Sequence, residues 1–150
     1  MKDKGETKRI ESRMEIQTYL DRLKYAIESG SVTLRFQKQR QVDKDRDKKH
    51  TNRYTVAKLF PDEDEVDALK RELIKLTIEE YIETVRDVRF PNNTEMRVFG
   101  KQYLNEDVYI KIRVELVSAA HASGNNFILV MSFHFSERDF NESNFPYRKN

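Results

Sequence analysis

From Val108 to Val114 the chain alternates apolar and polar residues without interruption, and an apolar-rich run, Phe127–Phe135, follows a Gly-Asn-Asn turn. Strict alternation predicts strands with one face in a core and the other free. With the segment before them they make three strands, about 95–103, 107–118 and 127–136. The Asn105-Glu106-Asp107 and Ser123-Gly124-Asn125-Asn126 clusters predict a hairpin between each successive pair. Upstream, Met14, Ile16, Tyr19, Leu20, Leu23 and Ile27 recur at helical spacing, and Ser29-Gly30 supplies a stop. Val32–Phe36 reads as a short strand. Pro61-Asp62-Glu63 opens a second helix, with acids at the positive end of its dipole and Val66, Leu69, Leu73, Ile74 and Leu76 as its apolar positions. Thr77-Ile78-Glu79-Glu80 is a capping box and predicts a short third helix carrying Tyr81, Ile82 and Val85.

Helices followed by a meander indicate an α+β fold, with N-terminal helices packed on one face of a C-terminal antiparallel sheet of three to four strands. The expected organisation is a frayed tail over 1–13, one domain over 14–140 and a C-terminal tail over 141–150. Residues 37–53 have almost no apolar side chains and read as a charged loop or locally disordered insert. Phe145-Pro146-Tyr147 is either a strap over the sheet edge or loose.

Composition narrows the chemistry. The chain of 150 residues carries 28 basic and 26 acidic side chains, a formal charge of +2 that argues against a large nucleic-acid coat protein but allows a local RNA site. It has no cysteine, which excludes disulfides, thiolate catalysis and cysteine-type zinc sites. No apolar run approaches membrane-spanning length, and Met1–Arg13 has no apolar stretch of the signal-peptide kind. The expectation is a cytoplasmic protein without membrane contact.

Alternation sorts the strand residues into faces. Val108, Ile110, Ile112 and Val114 should meet the helices, leaving Tyr109, Lys111, Arg113 and Glu115 outward. In the last strand Phe127, Leu129, Met131, Phe133 and Phe135 should share one face, and Ile128, Val130, Ser132, His134 and Ser136 the other. In the first strand Arg97, Phe99, Lys101 and Tyr103 go together. Register decides whether these sets meet. If they do, the surface suits RNA cleavage by 2′-OH attack. That reaction needs a base, cations for the charged phosphorane and an acid for the leaving 5′-oxygen. Histidine suits proton transfer near neutral pH, Lys and Arg suit the phosphorane, and Tyr can stack on a base. The plain alternative is an ordinary sheet surface kept soluble by its cations, with His134 structural among aromatics. His50 and His121 lack partners at metal-ligand spacing, so neither a metal nor another cofactor is expected.

The segment from Leu76 onward resembles the MqsR family of bacterial toxins, the mRNA interferases of type II toxin–antitoxin systems. The resemblance rests on Leu76–Tyr81, Met96–Lys101, Val108–Ile112 and Val130–His134, with the first helix and its Ser29–Val32 ending also similar. It implies a RelE-like fold, metal-independent mRNA cleavage and neutralisation by a cognate antitoxin. Tyr109 and Lys111 fall on the family's strand tyrosine and lysine, and His134 falls where better-known members carry lysine. Glu83 and Met96 depart from an expected lysine and glutamine. The expected catalytic set is therefore His134, Lys111, Tyr109 and Arg97, with Lys101, Arg113 and Phe99 contacting RNA. The alternative is a non-catalytic RNA- or protein-binding regulator, encoded by a phage or mobile element, on the same fold.

Overall fold

The computed structural model describes residues 5–30, 32–89, 94–115 and 126–148. Its elements are β1 (Glu6–Arg9), α1 (Arg13–Glu28), β2 (Val32–Phe36), α2 (Asn52–Leu59), α3 (Glu65–Ile74), β3 (Tyr81–Asp87), β4 (Met96–Tyr103), β5 (Glu106–Glu115) and β6 (Asn126–Phe135). They build one six-stranded sheet in the order β1-β3-β4-β5-β6-β2. β2 runs parallel to β6 and the other pairings are antiparallel. The expected antiparallel sheet of three to four strands is thus corrected to a mixed sheet of six. The edge strand β1 lies within 1–13, where a frayed tail is expected, and the other edge is the expected short strand Val32–Phe36, joined to the sheet by parallel pairing with β6.

Local chemistry explains most element boundaries. Ser12 caps α1 reciprocally with Glu15. Asp64, rather than the Pro61 turn, caps α3 by accepting from the Asp67 amide. The capping box at Thr77–Glu80 forms, but it closes a single 3-10 turn and the expected third helix is strand β3. Ile82, Thr84 and Val85 are β-branched and favour the extended form. Pairing with β1 on one side and β4 on the other then outweighs the local helix signal. Leu104 (φ 54°) and Asn105 (φ 64°) are both left-handed, the two-residue turn that suits a right-twisted hairpin. The β5–β6 turn lies outside the described residues.

The helices bury Ile16, Leu20, Leu23, Val56, Leu69 and Leu73 against one sheet face, where Phe99, Ile110, Ile112, Val130 and Phe133 form the main core. The opposite face is not free. Phe145, with Phe140 beside it, crosses it and closes a second core with Ile82, Val85, Met96 and Val98. Gly100 makes room for this strap, since a Cβ there would lie 2.6 Å from the Phe140 ring and 3.0 Å from that of Phe145. Tyr147 then stacks on Tyr81 and donates to the Glu11 carbonyl.

Candidate functional site

Register places the chemistry. Tyr109 stands opposite His134, and Lys111 opposite Ser132, so these four share the face away from the helices. The bulge that follows, an extra residue of β6 (Met131) opposite the step from Lys111 to Ile112 of β5, corrects the expected face assignment of β6. Beyond it Ile128 and Val130 join Phe133 and Phe135 in the main core. Met131 goes with Tyr109 and Phe140 in the second core. An extra residue reverses alternation in this way because the side-chain period is two.

The edge of β6 is completed by a helix. β2 ends at Phe36, and the Gln37 amide still donates to the Val130 carbonyl at 3.0 Å. Beyond that point Asn52, fully buried at the start of α2, takes over the missing strand's role. Its Nδ2 donates to the Met131 carbonyl (2.9 Å) and the Gln37 carbonyl (2.7 Å), while its Oδ1 accepts from the Phe133 amide (2.9 Å). One turn on, Thr55 Oγ1 accepts from the Phe135 amide at 2.8 Å. Buried backbone groups must be paired, and these two side chains hold Ser132 and His134 in place.

A cleft of about 670 Å³ opens over Tyr109, Lys111, Ser132 and His134. One wall is the segment carrying Arg40 and Arg46, and the other is the strap from Ser136 to Asn144. Tyr109 and His134 stack with ring centroids 5.4 Å apart and planes inclined by 20°. His134 Nδ1 is 3.0 Å from the Phe135 carbonyl. A carbonyl only accepts, so Nδ1 carries the proton and Nε2 keeps its lone pair. Burial pushes the imidazole down to about 4, against the Phe135 hydrogen bond that raises it, and the Arg46 and Arg40 charges push the same way as burial. His134 is therefore neutral at physiological pH. Arg40 Nη1 donates to Ser132 Oγ at 3.1 Å. Arg46 Nη1 is buried with no hydrogen-bond partner among the described residues. Lys111 is held by Glu6 of β1, 2.9 Å away.

The rest of the expected set lies elsewhere. Arg97 faces Ile112, Phe99 faces Ile110 and Lys101 faces Val108 across β4–β5, which puts all three on the helix face. Phe99 is fully buried core. Arg97 pairs with both oxygens of the buried Glu11, at 2.7 and 2.9 Å, and lies 4.4 Å over the Tyr19 ring. Burial would raise the Glu11 carboxyl, but Arg97 and Thr84 hold it below its ordinary value. Lys101 stands 3.7 Å from Glu80. Arg113 shares the open face but lies outside the cleft lining, 3.5 Å from Glu115. Glu83 is paired with Lys8 at 3.6 Å, and Met96 is buried in the second core.

Two cleft residues, Arg40 and Arg46, fall in the segment read as a loop. It folds instead into two 3-10 turns, Gln41–Asp45 and Lys48–His50, and runs into α2. The available signal was the spacing of Arg40 and Asp43, whose carboxylate accepts the Arg40 amide.

No protein-family model, curated protein or solved structure matches this chain. Among the described residues no helix is long and apolar enough to cross a membrane, and no three His, Asp or Glu side chains are grouped to hold a metal ion.

Proposed function

We propose that the protein is a cytoplasmic endoribonuclease of the toxin type, acting on mRNA and restrained by a cognate antitoxin. The observation that carries the reading is the stacked Tyr109–His134 pair beside Lys111 and two arginines in one cleft. His134 Nε2 takes the proton of a ribose 2′-OH, the 2′-oxygen bonds to phosphorus, and the bond to the 5′-oxygen breaks. The proton passes through solvent to the departing 5′-oxygen. Lys111 offsets the phosphorane charge, and Tyr109 orients the reacting nucleotide. Arg97, Phe99 and Lys101 have no part in this scheme. The geometry thus supports His134, Lys111 and Tyr109 of the expected catalytic set and leaves out Arg97.

One observation favours the second reading, a non-catalytic RNA-binding protein. An imidazole with its pKa near 4 is a weak base at neutral pH. Incubating labelled mRNA with the purified protein in chelator separates the two. Cleavage to 2′,3′-cyclic phosphate ends that disappears in His134→Ala supports the enzyme. RNA that is bound, with affinity falling as salt rises, but left uncut supports the binder. RNA neither bound nor cut at low salt refutes both.

A further inference from the structure

Within the cleft, Arg40, Arg46 and Ser132 make an arrangement that strand cleavage alone does not require. Both guanidinium groups line the same wall, and Arg46's charge works with burial to lower the pKa of Arg40. Like charges brought together away from water repel strongly. The carboxylates at hand are poor compensation. Glu137 is 3.7 Å from Arg46 and mostly exposed. Asp43 spends one oxygen on the Arg40 backbone amide, and its other oxygen is buried without a partner among the described residues. Glu6 is committed to Lys111. Arg46 Nη1 thus remains a buried donor with no acceptor among the described residues, an arrangement that costs free energy unless water or a ligand supplies the acceptor.

We propose that Arg40, Arg46 and the Ser132 hydroxyl form a subsite for a phosphate monoester. Two guanidinium groups match a dianion, and their planar donors fit phosphate oxygens in pairs. A phosphodiester carries a single charge and would leave one arginine uncompensated. The Ser132 hydroxyl, now accepting from Arg40, has its proton free to donate to a third oxygen. The monoester can come from the end of an RNA strand or from a free nucleotide. The terminal case rests on the RNA reading above and adds to it a preference for phosphorylated ends.

The test is calorimetric titration of the full chain with four ligands. These are inorganic phosphate, a nucleoside monophosphate, and one oligoribonucleotide ending either in phosphate or in hydroxyl. The phosphate-ended strand is expected to bind about tenfold more tightly than its hydroxyl-ended twin, as one charge-assisted contact pair would give. In Arg46→Gln, and separately in Ser132→Ala, with native circular dichroism as the folding control, that ratio should fall to within about twofold. Binding of phosphate and the mononucleotide without any oligonucleotide binding would uphold the subsite while overturning the RNA reading. Equal affinity for both strand ends, with no heat from inorganic phosphate, would overturn the subsite and leave the RNA reading standing.

Discussion

Asn52→Ala is the substitution that most directly tests how the site is held. The side chain is fully buried and makes three hydrogen bonds, at 2.7, 2.9 and 2.9 Å, all to backbone groups. Alanine removes them and strands two carbonyls and one amide. Each buried group left unpaired costs about 1–3 kcal/mol. Gln37 and Met131 are half-buried and Phe133 is buried, so water can relieve part of the loss at the two carbonyls but not at the Phe133 amide. The expected loss is about 3–5 kcal/mol, a large fraction of a domain's stability. Asn52→Asp keeps the acceptor for Phe133 but sets a carboxylate against two carbonyls, and should lose at least as much. The assay is urea unfolding followed by circular dichroism, with amide exchange at Phe133 as a local readout. A loss below about 1 kcal/mol, with Phe133 still protected, would refute the assignment of Asn52 as the surrogate for a missing strand.

The remaining predictions concern charge and packing. Glu11→Ala leaves Arg97 buried without its partner and should cost about 3–5 kcal/mol, whereas replacing both residues by apolar ones should recover much of it; a double-mutant cycle by denaturant unfolding checks this, and non-coupling would reopen a catalytic role for Arg97. His134 sits near 4 in the folded state against about 6.5 unfolded, so the unfolded chain binds more protons between those values. Stability is therefore fully present above about pH 6.5 and falls by about 3 kcal/mol as pH drops to about 4, a slope that His134→Gln should flatten in pH-dependent melts. Gly100→Ala forces the Phe140 ring away from 2.6 Å and should cost about 1–3 kcal/mol, measured by thermal unfolding. Glu6→Gln releases Lys111 from its carboxylate and should strengthen RNA binding and steepen its salt dependence in filter-binding titrations.

Parts of this architecture were readable from residue order. The alternation of Val108–Val114 located β5, the 3.6-residue recurrence from Met14 to Ile27 located α1, and the pairing of Tyr109 with His134 fits the outward faces read from alternation. Three features were hidden for physical reasons. Thr77–Glu80 carries a genuine capping signal, but its range is local, and the pairing of β3 with two strands distant in sequence decides the conformation of Tyr81–Asp87. The bulge at Met131 reverses the β6 faces without leaving a glycine or proline to mark it. Arg40 and Arg46 sit among residues too polar to show periodicity, and their placement depends on α2 docking against β6. Arg97, Phe99 and Lys101 alternate as cleanly as Tyr109 and Lys111. Periodicity sorts residues into two sets and does not say which set meets the helices.

The parallel pairing of β2 with β6 sets the order in which the molecule can be completed. β2 leaves the ribosome well before its partner β6, so the sheet edge beside the cleft stays open until β6 emerges. α2 cannot satisfy the β6 backbone through Asn52 and Thr55 until that strand exists. Contacts this distant in sequence form late and slowly. The cleft, with Ser132 and His134 on β6, is therefore assembled only after that strand has been made, and a nascent chain that stops short of it carries no assembled cleft.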